Sequence, residues 1–254
     1  HQFDTAFTLA EHDTPIHPMF SSKLYGRDAE MVVLQQAYKK AVAGQKEIVF
    51  IKGFSGSGKS SFAKSLMDQV AQNQGYFLES KFEQLQEEHS FQPIVQPLRN
   101  LLRQTYLKGE AAITQFRSQL LNGEFILTDS LMQLIPELKW FINEELRIVH
   151  ESQQYTLQQN ALLFVCIEKI LKAYTSQQKT IVVFIDDIQW ADPEALHILE
   201  QIYTPFEEGH LLVILASREE YAEISNELLV WQKDLPSFSV IQMRPLSQES
   251  VFAY

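Results

Sequence analysis

Residues 53–61, GFSGSGKSS, have the spacing of a loop that binds phosphate groups. They match the pattern G-x-x-x-x-G-K-[ST] through Gly53, Gly58, Lys59 and Ser60. Glycines let the backbone wrap closely around a polyphosphate, and consecutive N–H groups and a helix N-terminus then face it. We expect the Lys59 ammonium to reach the β- and γ-phosphates and the Ser60 hydroxyl to bind Mg²⁺. The expected phosphate contacts are Gly53, Ser55, Gly56, Ser57, Gly58, Lys59, Ser60 and Ser61.

Two adjacent carboxylates follow an apolar run in FIDDIQWADP, residues 184–193. A carboxylate is costly to bury unless a partner compensates its charge. The carboxyl ends of parallel strands meet at one edge of a sheet, so Asp186 is expected beside the phosphate loop. There it would hold Mg²⁺ directly or through water, and Lys59 and the cation would offset its charge.

Asp187 has a different expected task, because neighbouring side chains on a strand point to opposite faces. We expect it to act on the attacking water as a general base or an orienting group. The alternative is a carboxylate that caps a helix or binds its own loop.

A further apolar run, in LLVILASRE at residues 211–219, also ends in polar residues. Ser217 is a candidate to hydrogen-bond the attacking water or the γ-phosphate. Arg218 is a candidate to contact the γ-phosphate directly and so to report its presence. The alternative for Arg218 is a surface ion pair with Glu219 or Glu220.

The elements that must position these residues alternate between strand and helix. The patterns predict strands at 47–51, 75–82, 180–186, 211–217 and about 238–243, and helices at 28–42, 59–72, 193–205 and 220–231. Asp28 is the expected cap of the first helix, and Asp192 with Pro193 marks the start of the third. Residues 90–175 are helical almost throughout. Such alternation predicts a parallel sheet covered on both faces.

The bulk composition narrows the class of protein. The chain has 254 residues with 21 Lys and Arg against 32 Asp and Glu, a net charge of −11. This surplus disfavours a broad nucleic-acid or anionic-membrane surface. Its apolar runs are too short to cross a bilayer, and no secretion signal opens it. The single Cys166 excludes an internal disulfide and favours a reducing, cytoplasmic location.

Five segments together resemble a known family. They are LYGRDAE (24–30), GFSGSGKSS (53–61), IPEL (135–138), VFIDDIQWADPEAL (183–196) and LLVILASRE (211–219). They are similar to the AAA-type ATPase domain, of the signal-transduction STAND kind, in large multidomain signalling kinases. The resemblance implies an α/β fold, the three-layer P-loop NTPase of the ASCE type, whose mainly parallel sheet is flanked by helices and carries a helical insert at about 90–175.

The resemblance also implies an organisation and partners. Residues 1–23 are polar, contain Pro15 and Pro18 and show no hydrophobic period, so we expect them to be a linker. By the resemblance, 24–244 would be the ATPase core and 245–254 the start of a truncated lid. Leu24, Tyr25 and Gly26 would lie against adenine, with Arg27 near the nucleotide. The implied ligands are ATP or ADP and Mg²⁺. The implied partners are other domains of the same polypeptide, signalling proteins and, depending on nucleotide, a second copy.

Three functions agree with these observations. The first is a magnesium-dependent ATPase whose hydrolysis resets a signalling switch. The second is a nucleotide-gated interaction module with negligible hydrolysis, using the helical insert as its partner surface. The third is a small-molecule kinase, although no acceptor pocket is specified by the sequence.

Overall fold

The computed structural model describes residues 26–84, 91–121, 127–142, 148–149, 156–203, 209–221, 228, 230 and 237–245. The expected linker at 1–23, the adenine contacts Leu24 and Tyr25, and residues 246–254 of the expected lid lie outside the described residues. Of the helix predicted at 220–231, most residues lie outside them as well, and residues 228 and 230 are helical.

Seven strands and eight α-helices are described. The strands are β1 (Lys46–Gly53), β2 (Tyr76–Lys81), β3 (Leu127–Thr128), β4 (Ile148–Val149), β5 (Ile181–Asp186), β6 (Leu211–Arg218) and β7 (Phe238–Met243). The helices are α1 (Asp28–Val42), α2 (Lys59–Lys64), α3 (Met67–Gln72), α4 (Gln92–Leu107), α5 (Glu110–Leu120), α6 (Asp129–Leu134), α7 (Thr156–Thr175) and α8 (Pro193–Tyr203). Short 3-10 helices cover Pro136–Phe141 and Ile188–Trp190.

The main sheet has five parallel strands in the order β2-β5-β6-β1-β7. Strand β6 therefore lies between β1, which leads into the phosphate loop, and β5, which ends at Asp186. In register, Gly53 pairs with Arg218, and Lys81 pairs with Asp186. The polar ends of β1, β2, β5 and β6 consequently share one edge, as the sequence predicts.

Helices cover both faces of this sheet, because successive residues of a central strand point to opposite sides. In β1, Ile48 and Phe50 are fully buried against the helical insert, whereas Val49 and Ile51 are fully buried against the layer of α1 and α2. The result is the predicted three-layer P-loop fold with a mainly parallel sheet. The described part of residues 90–175 is mainly helical, with β3 and β4 as a small separate sheet.

Two local expectations are wrong and one is confirmed. The helix predicted at 59–72 divides into α2 and α3, and the Ser65 hydroxyl donates to the Phe62 carbonyl at the break, 2.6 Å away. Asp28 does not cap α1; it is the first helical residue, where its charge favours the helix dipole instead. Asp192 does cap α8, because its Oδ1 accepts the Ala195 N–H at 2.7 Å.

None of the helices within the described ranges has the length and apolar character that crossing a bilayer requires.

Candidate functional site

The phosphate loop joins β1 to α2 and depends on glycine at several positions. Gly56 and Gly58 have φ values of +76° and +87°, a region that side chains rarely adopt. At Gly53 the reason is space, since an added Cβ would lie 2.5 Å from the Met243 carbonyl oxygen. These glycines let the loop curl between β1 and α2 and let β7 pack against its base.

Lys59 lies inside this loop and is 7% exposed. Its Nζ donates to the carbonyl oxygens of Gly53 at 2.8 Å and Phe54 at 3.0 Å. Burial lowers the pKa of Lys59, and the nearby carboxylates of Asp186 and Asp187 partly offset that effect. The ammonium is thus held at the mouth of the loop by backbone oxygens, which a phosphate would have to replace.

Ser60 and Asp186 connect the loop to the acidic end of β5. The Ser60 hydroxyl donates to Asp186 Oδ2 at 2.5 Å, and Asp186 Oδ1 accepts the Asp187 N–H at 2.9 Å. A hydroxyl and a carboxylate are ligands that Mg²⁺ prefers, so this donor set fits the cation.

Asp187 is 6% exposed and has a left-handed backbone, with φ 52° and ψ 42°. Its Oδ1 accepts from Gln189 Nε2 at 2.7 Å and Arg218 Nε at 3.2 Å, and its Oδ2 lies 3.0 Å from Lys81 Nζ. Burial alone would raise the pKa of Asp187, but the bonds from Gln189, Lys81 and Arg218 outweigh it and lower that pKa. The carboxylate makes no helix-capping bond, but its bond from Gln189 agrees with the other alternative, a carboxylate that binds its own loop.

Arg218 is partly exposed and reaches Asp187, not the glutamates that follow it. This ion pair raises the pKa of the Arg218 guanidinium. The candidate role of Ser217 at the phosphate is wrong for this arrangement. Ser217 is fully buried, and its hydroxyl donates to the Arg218 carbonyl at 3.2 Å. The physical reason is the alternation along β6, which places the Ser217 side chain on the opposite face of the sheet from Arg218.

These groups surround an open cavity of about 380 Å³, a volume within the usual range of small-molecule sites. The lining residues are Ser55, Gly56, Gly58, Lys59, Ser60, Ser61, Lys81, Asp186, Asp187 and Arg218. Three are cations and two are carboxylates. The surplus positive charge suits a bound polyphosphate.

Of the other residues predicted to bind nucleotide, Gly26, Arg27, Gly53 and Ser57 are described, and they are not among the residues that line this cavity. Arg27 is 5% exposed, and its Nη2 donates to the carbonyl oxygens of Ser57 at 3.3 Å and Arg244 at 2.6 Å. Arg27 therefore links the phosphate loop to Arg244, the residue that follows β7. The Ser57 hydroxyl is buried and has no hydrogen-bond partner among the residues that the structure describes. Direct nucleotide contacts from Gly26 and Arg27 stay predictions.

Two residues of the site, Lys81 and Gln189, escaped the sequence analysis, which named Glu220 only as a possible partner of Arg218. Lys81 and Gln189 bind Asp187, and Glu220 Oε1 accepts the Ser55 N–H at 3.4 Å. The position of Lys81 at the end of a predicted strand was a usable signal, because strand ends meet at this edge. No comparable signal marks Gln189 or Glu220.

Comparison with known proteins decides the family. The family model of the AAA ATPase domain matches residues 23–214, which include the phosphate loop and the paired aspartates. The chain belongs to this family.

The AAA domain also matches a segment of a signalling protein. It is 23% identical over 199 residues to hybrid signal transduction histidine kinase G of Dictyostelium discoideum. The match covers 77% of this chain and 6% of that protein, so the AAA domain spans a small part of its relative.

Two proteins of known structure are among those that match this chain when whole structures are compared. The Aeropyrum pernix ORC2 protein in ADPNP–ADP complexes is 13% identical, with 90% of this chain and 50% of that chain covered and a TM-score of 0.47. A DNA replication initiation factor is 11% identical, with 90% and 49% covered and a TM-score of 0.41.

Proposed function

We propose that this AAA domain binds Mg-ATP in the cavity at the carboxyl edge of the sheet and hydrolyses it as a nucleotide switch. The observation that carries the proposal is the 2.5 Å contact between Ser60 and Asp186. It joins the phosphate loop to the acidic strand end within one cavity that also contains Lys59 and Arg218.

Binding would use groups that the loop already presents. The backbone N–H groups of the loop and the Lys59 ammonium would hold the β- and γ-phosphates. Ser60 and Asp186 would hold Mg²⁺, which supplies charge neutralisation on the phosphate oxygens. Lys59 would exchange its bonds to the Gly53 and Phe54 carbonyls for bonds to phosphate.

Hydrolysis would use Asp187 and Arg218. The Asp187 carboxylate would orient a water molecule whose oxygen attacks the γ-phosphorus, and it would accept the proton as the bond to the leaving oxygen breaks. The Arg218 guanidinium, which also lines the cavity, would move from Asp187 to the γ-phosphate and stabilise the charge there.

The partner and location proposals follow from the relatives and the composition. The AAA domain would report its nucleotide state to other domains of the same polypeptide or to signalling proteins, with nucleotide-dependent self-association as a further route. A reducing, cytoplasmic setting is proposed because the given sequence has a single cysteine, Cys166, which is buried.

Calorimetric titration with ATP, GTP and ADP, with and without Mg²⁺, tests the binding step. We expect ATP to bind more tightly than GTP and binding to be lost in Lys59→Ala. Equal affinity for ATP and GTP would remove the adenine assignment, and no heat with any nucleotide would refute the function.

Single-turnover release of phosphate tests the hydrolytic step. We expect Asp187→Asn to keep ATP affinity within about threefold and to slow hydrolysis about 100-fold or more, the usual contribution of a general base. Unchanged turnover in both Asp187→Asn and Asp187→Ala would refute the role of this carboxylate.

A second candidate function is a nucleotide-gated interaction module with negligible hydrolysis. The engagement of Asp187 by Lys81, Gln189 and Arg218 favours it, because a carboxylate bound in this way is a weak base. Measurable phosphate release that Lys59→Ala abolishes would exclude this alternative.

A further inference from the structure

The helical insert carries an exposed pair of aromatic rings. Tyr106, near the end of α4, packs against Trp140 of the 3-10 helix Pro136–Phe141, with ring centroids 4.9 Å apart. The two side chains are 45% and 41% exposed, and the adjacent Leu107 is 83% exposed. Among the described residues, no other large apolar side chain is as exposed as Leu107. Tyr106, Leu107 and Trp140 are called the insert patch below.

The insert patch lies on the solvent side of elements whose other side chains form the core. On the 3-10 helix, Glu137, Leu138 and Phe141 are buried, and Phe141 packs against Phe116 of α5 with ring centroids 4.8 Å apart. The core of the insert is therefore built without the exposed surface of Trp140. Apolar surface in water is costly, and apolar residues that cluster on a surface mark interaction sites more often than isolated ones do.

The support of the insert patch is well fixed. The Glu137 carboxylate binds Arg99 at 2.9 Å and Arg103 at 2.6 Å, both from α4. These bonds hold the 3-10 helix that carries Trp140 against the helix that carries the rest of the patch. An aromatic side chain that is held before binding loses little conformational entropy when a partner arrives. Tyrosine, tryptophan and arginine on such a support are the residues that dominate the binding energy of many protein interfaces.

The charges beside the insert patch are positive. Arg103, one helical turn before the two patch residues of α4, is 45% exposed, and the exposed Lys139 precedes Trp140. Glu137 is 2% exposed and bound by two arginines, so it presents little charge to a partner, and the next carboxylate after α4, Glu110, begins α5. This basic border contrasts with the net charge of −11 for the whole chain. Charge complementarity therefore favours an acidic partner.

We propose that the insert patch is a docking site for an acidic, amphipathic protein segment. Its apolar side chains would cover Leu107 and the aromatic pair, while its carboxylates would pair with Arg103 and Lys139. Sites for single-stranded nucleic acid combine stacking rings with a cationic groove along the backbone. Here the most exposed group is aliphatic, and Arg103 already shares its charge with Glu137, so a protein segment fits better.

This surface is separate from the proposed nucleotide site. None of the residues of the insert patch, nor Arg103 or Lys139, lines the cavity at the carboxyl edge of the sheet. The proposal therefore goes beyond the nucleotide function and does not depend on hydrolysis.

Fluorescence anisotropy of labelled probes tests the proposal on the whole chain without nucleotide. The main probe is a synthetic peptide of about 15 residues, with leucines at helical spacing and glutamates elsewhere. The comparison probes are the same peptide with lysines in place of the glutamates and a single-stranded oligo-dT of similar length. We expect the acidic peptide to bind with a Kd of about 10 to 100 μM that weakens with salt, and the lysine peptide to bind at least about tenfold more weakly.

Three variants locate the binding site. Leu107→Ser removes the apolar anchor at a side chain with little burial to lose, and we expect the acidic peptide to bind about tenfold more weakly. Lys139→Glu is expected to weaken binding to a similar extent and to reduce its dependence on salt. Val32→Ser is the matched control, because Val32 is 55% exposed on α1, on the other face of the sheet, and no change is expected.

Each contrary outcome overturns the proposal in a different way. No binding of the acidic peptide, or equal binding of the lysine peptide, would remove the assigned chemistry. Tighter binding of oligo-dT that Lys139→Glu abolishes would make the surface a nucleic-acid site. An equal loss in Val32→Ser would show adhesion to exposed apolar groups in general. Sedimentation that shows self-association, lost in Leu107→Ser, would make a second copy the occupant. Because no nucleotide is added, these outcomes are distinct from failure of the proposed ATP function.

Discussion

At the scale of single residues, the site is a set of charges that already satisfy one another. Lys59 binds backbone carbonyls, Ser60 binds Asp186, and Asp187 binds two cations and an amide. A nucleotide bound in this cavity as proposed would exchange partners with these groups, because buried polar groups are costly to leave unpaired. The affinity for ATP would therefore depend on the difference in free energy between the contacts that break and those that form on binding.

Ser60 offers a test of that exchange with a neighbour as control. Because its hydroxyl binds Asp186, we expect Ser60→Ala to reduce the gain in ATP affinity that Mg²⁺ provides by about tenfold, with little effect on affinity in the absence of Mg²⁺. Ser61→Ala, which alters another cavity-lining serine, is expected to keep the full gain. Titrations with and without Mg²⁺ measure both. Equal losses in the two variants would contradict a metal role for Ser60.

At the scale of elements, an ionic cluster around one buried carboxylate connects two elements of the helical insert. Glu137, in the segment IPEL, is 2% exposed on the 3-10 helix Pro136–Phe141. Its carboxylate binds Arg99 Nε at 2.9 Å and Arg103 Nη2 at 2.6 Å, both from α4. Burial would raise the pKa of Glu137, but the bonds from these arginines outweigh it and lower that pKa. The cluster ties two elements of the insert together, and its role is structural.

This cluster predicts a pH-dependent loss of stability. A carboxyl group whose pKa is lower in the folded state stabilises the fold above its unfolded pKa, and this contribution is lost as the pH falls through the folded pKa. We expect Glu137→Gln to lower the free energy of unfolding by about 2 to 4 kcal/mol at neutral pH, with the difference narrowing in acid. The exposed Glu110→Gln serves as control. Urea unfolding at several pH values measures this, and a constant difference down to low pH would refute the ionic explanation.

At the scale of the whole molecule, the two ends of the sheet have different electrostatics. The carboxyl edge carries the proposed nucleotide site. The amino end of β1 carries Lys46, which is 6% exposed and donates to the Ile202 carbonyl at 3.2 Å. Burial lowers the pKa of Lys46 to about 7, although Glu168 partly offsets this. The chain thus buries a lysine that changes charge near neutral pH, at the end of the sheet away from the site.

The contribution of Lys46 to the stability of the fold should therefore rise with pH. Because the folded pKa of Lys46 is below the unfolded value, the unfolded chain binds more protons between about pH 7 and 10, and the cost of burying the charge is greatest below this range. We expect Lys46→Met to raise the free energy of unfolding by about 1 to 3 kcal/mol at pH 6.5 and by less at pH 9. ATP affinity should not change. The exposed Lys39→Met is the control, and a gain that does not depend on pH would contradict the explanation.

The sequence by itself determined the local chemistry of this protein. The glycine spacing of residues 53–61, the apolar runs that end in Asp186 and Arg218, and the alternation of strands and helices predicted the loop, the acidic strand end and the parallel sheet. These features depend on backbone conformation and hydrophobic period, which neighbouring residues encode directly. The break between α2 and α3 was missed because the apolar period continues across it.

Only the tertiary structure decided which side chains meet. The strand order brings Lys81 from β2 and Arg218 from β6 to opposite oxygens of Asp187, and the packing around β6 buries Ser217 completely. Residues 81, 187 and 218 are far apart along the chain, so no spacing relates them. Their contacts depend on how strands are ordered and how far each side chain reaches, and those are properties of the folded sheet.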